Sequence, residues 1–120
     1  ITANFSSAHC IRGYEGACEN LHGHNWKVEV SVRSRELDRL GMVMDFKAMK
    51  ARTREVVDRL DHRYLNEVPP FDGVNATAEN IARHIFDELS SSIREPGVSV
   101  ARVKVWESDT AAAAYSGEEG

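Results

Sequence analysis

His22 and His24 are separated only by Gly23, and His9 lies a short way upstream. In an extended strand successive side chains alternate between faces, so this spacing sends both imidazoles to one side. Two such rings can converge on one ion, and His9 on a neighbouring strand would supply a third nitrogen. Three neutral imidazoles suit Zn2+, and three protein ligands leave the fourth position open, the arrangement of catalytic rather than structural zinc. The chain has no Cys-x-x-Cys pair to build a closed structural site. Cys18 stands close enough before His22 to act beside such an ion without binding it. A thiol works as a base once deprotonated, which a nearby cation favours; the alternative is a small buried hydrophobe.

The elements that must position these residues can be read from periodicity. Residues 1–10 are extended in character and end in the first histidine, and 11–20, with Gly13 and Gly16, reads as a loop delivering Cys18. From His22 to Arg33, Trp26, Val28, Val30 and Val32 alternate with Lys27, Glu29, Ser31 and Arg33, the pattern of a half-buried strand. His22 and His24 share the parity of the valines, which predicts that they emerge on the buried face; Gly23 is a natural place for a bulge. A turn and a short extended piece, Met42–Met44, follow. Asp45 is a good N-cap for a helix whose Phe46, Met49, Thr53, Val56, Val57 and Leu60 recur at helical spacing, ending near Asp61. Pro69, Pro70 and Gly73 mark residues 66–75 as a loop. Thr77 can cap a second helix with Ile81, Ile85, Phe86 and Leu89 on one side, ended by the serines at 90–92 and Pro96-Gly97. Residues 98–107 are strand-like, with Val103, Val105 and Glu107 on one face and Trp106 on the other; 111–116 suits a last short strand, and 117–120 a frayed tail. The order β-β-α-α-β-β predicts an α+β architecture, two helices on one face of a four-stranded, mostly antiparallel sheet. The other face, with Lys27, Glu29, Ser31 and Arg33, is left to water or to a partner.

With 120 residues, 42% hydrophobic and 28% charged, residues 1–120 are expected to form one domain. The net charge of −4 and the lack of a basic run give no reason to expect nucleic acid as a partner. No apolar stretch approaches a membrane span. No signal peptide is visible, and the start at Ile1, without a methionine, is consistent with a missing N-terminus. Cys10 and Cys18 could close a small disulfide loop, but free thiols are the expectation for a cytosolic enzyme.

Several motifs occur in one order: Phe5-Ser6-Ser7-Ala8-His9, Cys18-x-x-x-His22-Gly23-His24, Leu60-Asp61-His62-Arg63-Tyr64-Leu65-Asn66, Ala76-Thr77-Ala78-Glu79-Asn80, and Glu107 after a valine-rich run. The chain thereby resembles the 6-pyruvoyl-tetrahydropterin synthase family, over almost its whole length, and most closely the bacterial 6-carboxy-tetrahydropterin synthase branch that serves queuosine synthesis. The resemblance implies the tunnelling fold, in which three subunits join their sheets into a barrel and two trimers stack into a homohexamer. It implies a cytoplasmic enzyme that acts on 7,8-dihydroneopterin triphosphate with Zn2+ on His9, His22 and His24. It implies Cys18 as the base, Asp61 and His62 as its proton relay, and Glu107 as the anchor of the pterin's amino-pyrimidinone edge, supported by Thr77. Read without it, His62 is a histidine favoured by a helix C-terminal dipole and Glu107 a surface glutamate. Many relatives carry a second hydroxyl residue where this chain has Ala78. Arg12, Lys27, Arg63 and Lys104 are candidates for the triphosphate, and the sequence selects none of them.

The three-residue gap between Cys18 and His22 resembles the 6-carboxy branch; animal pyruvoyl-forming enzymes have a longer one. Glu19 keeps a second outcome open, because a third branch uses a glutamate here to release 6-hydroxymethyl-dihydropterin for folate. Glu19 is thus a second base or a solvated loop residue. 6-Pyruvoyl-tetrahydropterin formation and a non-catalytic metal-binding assembly protein are the remaining alternatives.

Overall fold

The computed structural model describes residues 1–13 and 21–117, with His22 described by its backbone alone. Strands β1 (Thr2–His9) and β2 (His22–Arg33) pair antiparallel, and helix α1 (Phe46–Asp58) follows. A two-residue strand β3 (Arg63–Tyr64) and one turn of 3-10 helix (Leu65–Glu67) precede α2 (Ala78–Ser92), β4 (Ser99–Ser108) and β5 (Ala111–Tyr115). The sheet order is β3-β1-β2-β4-β5. The expected two helices and four antiparallel strands are present, joined by a fifth strand. β3 runs parallel to β1 and pairs only at Ser7 and Ala8, too short for any periodicity to reveal.

Both helices begin at the residues expected. Asp45 accepts the Lys47 N–H at 2.8 Å and Thr77 accepts the Asn80 N–H at 3.1 Å, each satisfying a donor the first turn leaves unpaired. α1 ends at Asp58, slightly short of the expected point, although Leu60 remains buried. Phe46, expected on the core side, is 69% exposed at the start of α1. Met42–Met44 is not a strand. Asp38 Oδ1 takes the Leu40 and Met42 N–H groups, and the Asp38 N–H bonds to the Met42 carbonyl, so this segment folds into a local turn.

The core lies between the helices and one sheet face. Val28, Val30, Val103 and Val105 meet Val56 and Val57 of α1 and Ile81, Ile85 and Leu89 of α2. Each such buried side chain contributes about 1.5–3 kcal/mol relative to remaining exposed. Two register shifts adjust the sheet. One lies between Ser31 and Val32, where Ala101 is the extra residue, so Val100 and Val103 both reach the core despite their odd spacing. The other lies between Trp106 and Ser108, leaving Glu107 as the extra residue. At Gly23 the register with β1 continues unbroken.

Candidate active site

The β1–β2 register sets Ser7 opposite His24 and His9 opposite His22. Two strands alternating in phase therefore deliver histidines to the same end of the same face. Trp26, fully buried two residues beyond His24, forms the floor. Its ring centroid lies 5.1 Å from that of His9 and 5.2 Å from that of His24, both edge-on, and the two imidazoles are 5.1 Å apart. Phe5 stacks on the same indole at 5.9 Å, and the indole N–H donates to the Ser7 carbonyl at 3.3 Å.

His9 is 3% exposed, and its Nδ1 lies 2.7 Å from the Ala76 carbonyl oxygen. A carbonyl only accepts, so Nδ1 carries a proton, and in the neutral ring Nε2 is the atom that presents a lone pair. That Nε2 faces Glu107 Oε1 at 3.7 Å, and His24 Nε2 faces Glu107 Oε2 at 3.8 Å. The candidate ligand atoms of His9, His24 and Glu107 all lie within 4.8 Å of one another. Two nitrogen donors and a carboxylate at this spacing fit a divalent metal, zinc among them. Glu107 thus shares the histidine face as expected. Trp106 lies on the other face, between the Lys27 and Lys104 ammonium groups at 4.9 and 4.6 Å from its ring.

A second group forms just past α1. Asp61 Oδ1 accepts the Ser6 N–H at 2.8 Å and lies 3.0 Å from His62 Nδ1. Neighbouring residues in a regular helix cannot pair this way. Here the helix has ended, and His62 is in the left-handed region at φ +55°. Its backbone N–H donates to the Ser6 carbonyl at 2.5 Å. The Ser6 N–H, followed by the His62 imidazole, holds the Asp61 carboxyl below its ordinary value of 3.8. The His62 side chain is 81% exposed, with room to meet a substrate or another subunit. His62, Arg63 and Tyr64 border an open cleft of ≈ 440 Å³ whose other wall includes His24 and Asn25.

The structure also sorts the cations. Arg12 donates to the Phe71 carbonyl at 2.5 Å and to the Val74 carbonyl at 3.1 Å, a clamp on the 66–75 loop. Lys27 and Lys104 belong to the opposite sheet face. Arg63 alone of the four candidates lines the cleft beside His24.

The profile of the family described as 6-pyruvoyl tetrahydropterin synthase matches residues 1–118. This chain belongs to that family. It is 39% identical over 118 residues to the 6-carboxy-5,6,7,8-tetrahydropterin synthase of Synechocystis sp., covering 93% of this chain and 87% of the relative. It is 38% identical over 107 residues to the 6-pyruvoyl tetrahydrobiopterin synthase of Homo sapiens, covering 86% and 72%. The solved structure of the Caenorhabditis elegans 6-pyruvoyl tetrahydropterin synthase superposes with a TM-score of 0.83 at 28% identity, over 98% of this chain and 93% of that one. The tunnelling fold of this tetrahydropterin synthase family is therefore the fold of the chain.

Against the family motifs, the structure brings together His9, His24 and Glu107, and sets His62, paired with Asp61, on a cleft shared with His24. Cys18, Glu19 and the His22 side chain lie outside the described residues. Cys10 is disulfide-bonded, which corrects the expectation of a free thiol there. Thr77 spends its hydroxyl on the cap of α2, directly after Ala76. His84 is half-buried against Phe71, at 5.3 Å, and burial lowers its pKa.

Three residues with structural work to do at this site were missed. By sequence Trp26 reads as core alone, because nothing in its alternation signals a floor for two imidazoles. Asn66 takes the Cys10 N–H at 3.0 Å and returns a bond to the Cys10 carbonyl at 2.9 Å. Asn75 does the same to Arg12, at 3.0 and 2.9 Å. These two reciprocal clamps fix the chain as it leaves His9.

Two expected outcomes follow. Left-handed backbone costs a side-chain-bearing residue about 1–2 kcal/mol, so His62→Gly should be more stable than His62→Ala by about 1 kcal/mol in urea unfolding, although both lack the imidazole. Equal stabilities would show that the backbone at 62 is relaxed. Because the folded-state pKa of Asp61 is depressed, its contribution is present above the ordinary value of 3.8 and lost as pH falls through the lower folded value. Urea midpoints of metal-free wild type and Asp61→Asn should differ at neutral pH and converge in acid; a constant difference would contradict this.

Proposed function

We propose that this chain is a zinc-dependent 6-carboxy-5,6,7,8-tetrahydropterin synthase. It converts 7,8-dihydroneopterin triphosphate and water to 6-carboxytetrahydropterin, acetaldehyde and triphosphate, in the cytoplasm and in the service of queuosine synthesis. The convergence of the His9 and His24 imidazoles on the Glu107 carboxylate carries this reading. The 6-carboxy name of relatives such as the Synechocystis protein, and the spacing of Cys18 from His22, favour this product.

In this reading His9, His22 and His24 hold the zinc, with His9 pre-oriented by the Ala76 carbonyl. When bound, the zinc polarises the substrate's side-chain hydroxyls and makes the adjoining C–H more acidic. Cys18 takes that proton as thiolate in the reduced protein, with the Cys10 disulfide opened. Asp61 holds the His62 imidazole through Nδ1, and His62 passes the proton on. Glu107 accepts two parallel hydrogen bonds from the amino-pyrimidinone edge of the pterin, with Thr77 close by at the α2 cap. Arg63, on the cleft beside His24, is the cation best placed for triphosphate.

Residues 1–120 form one domain in this proposal, and the active protein is a hexamer of two trimers. β3 covers Ser7 and Ala8 of β1, and Asp61, His62 and Arg54 take the Ser6 backbone and the Asn4 carbonyl, so the outer edge of β5 is the longer unpaired sheet edge among the described residues. Joining such edges between copies satisfies them, and brings the exposed His62 to a neighbour.

A second reading rests on the human relative's name, 6-pyruvoyl tetrahydrobiopterin synthase, and a third on Glu19. Incubation of the purified protein with dihydroneopterin triphosphate, followed by mass identification of the pterin, separates them. We expect the 6-carboxy product with acetaldehyde, and a loss of about 10²-fold or more in turnover for Cys18→Ala. A 6-pyruvoyl product would replace the assignment. A hydroxymethyl product, lost in Glu19→Ala but retained in Cys18→Ala, would establish the folate-type cleavage. Light scattering should show an assembly several times the 13.4 kDa of one chain; a stable active monomer would rule out the shared site.

A further inference from the structure

The proposed function reserves Glu107 for the pterin. The carboxylate is oriented towards the histidines. Among the described residues, its only polar neighbours are the two imidazoles, one facing each oxygen. His9 Nδ1 donates to the Ala76 carbonyl, so Nε2, whose lone pair is free when the ring is neutral, is the nitrogen that faces an oxygen that is also an acceptor. Two acceptors do not face each other stably unless a proton or a cation lies between them. The separations of 3.7 and 3.8 Å exceed the usual 2.7–3.2 Å of an N–H···O bond. They are a few tenths of an ångström wider than the roughly 3.4 Å between neighbouring donors around a tetrahedral zinc with bonds of about 2.0–2.2 Å, and the whole donor set lies within 4.8 Å, so a bound ion would draw the three groups inward.

The backbone supplies a reason for this placement. Glu107 is the extra residue at the β4 register shift, and a bulge re-aims the side chain it carries. At 37% exposure its side chain is also solvent-accessible rather than locked into the core.

We infer that Glu107 is itself a metal ligand before substrate binds, adding a carboxylate oxygen to the histidine nitrogens of the proposed site, His9 and His24 among them. The inference rests on the metal-site reading above, but it assigns Glu107 a role that reading does not. A carboxylate ligand adds a negative charge that three neutral imidazoles lack, which strengthens metal retention while the site waits for substrate.

The test compares metal binding rather than turnover. Zn2+ affinity is measured by chelator competition for the purified wild type, Glu107→Gln and His24→Ala, and visible spectra are recorded after loading with Co2+. Far-UV circular dichroism and thermal melts in excess chelator, where every protein lacks metal, keep folding separate from binding. We expect Glu107→Gln to fold as wild type, to bind Zn2+ tenfold or more weakly, and to shift the Co2+ absorption band. His24→Ala should lose stoichiometric metal. A Glu107→Gln protein within twofold of wild type and with an unchanged Co2+ spectrum, while His24→Ala loses metal, would overturn the inference and leave the metal site standing. Wild-type affinity in His24→Ala would remove the metal site itself, and the inference with it.

Discussion

The hydrogen bond from His9 Nδ1 to the Ala76 carbonyl ties together the two halves of the site. It joins the end of β1 to the residue before the α2 cap, 67 positions apart in sequence. Its physical effect is twofold. It fixes the tautomer, so that the nitrogen available for a ligand is Nε2, and it fixes the ring plane against the Trp26 indole. Metal-ligating histidines owe much of their orientation and basicity to such a partner. A backbone carbonyl serves better than a mobile side chain because the Thr77 cap and the first turn of α2 hold it in place. The Asn80 side chain adds a bond from its Nδ2 to the Asn75 carbonyl at 2.9 Å, stiffening the same corner.

The segment after α1 is anchored just as closely to β1. Ser6 gives its N–H to Asp61 and receives the His62 N–H, while the Ser7 hydroxyl bonds to the Leu60 carbonyl. One short stretch of strand therefore positions the Asp61–His62 pair on one side and, two residues on, His9 on the other. The asparagine clamps on Cys10 and Arg12 continue this anchoring to the point where the chain enters 14–20. Rigid elements with few free torsions hold a catalytic constellation more accurately than loops do, and each described member here sits on, or is tied to, a strand.

Much of this was legible from residue types. Period-two alternation located β2, helical spacing located both helices, and Asp45 and Thr77 marked their starts, because each signal is local and follows from backbone geometry. The same parity that buried Val28 and Val30 carried His24 to the face where it is found. The failures have local causes too. Phe46 fits the helical period, but at the first position of α1 the core does not reach it. Met42–Met44 has strand-like composition, yet the Asp38 carboxylate competes for its backbone. β3 is set by long-range pairing with Ser7 and Ala8 and has no periodicity of its own. Cys10 has the composition of a free thiol and is disulfide-bonded instead, a matter of proximity that spacing alone left open.

Residue types and their spacing are enough to name the side chains that can carry the chemistry, the face of β2 they emerge from, and the family to which they belong. Those properties depend on alternation and on short motifs, which are encoded within a few residues. Folding in three dimensions is what turns Glu107 towards two imidazoles, lets a carbonyl 67 residues away orient His9, and makes Arg12 a loop clamp while Arg63 lines the cleft. Those outcomes depend on strand register, on a bulge and on where a helix stops. Each is fixed by contacts between segments remote in the chain, and no local pattern records them.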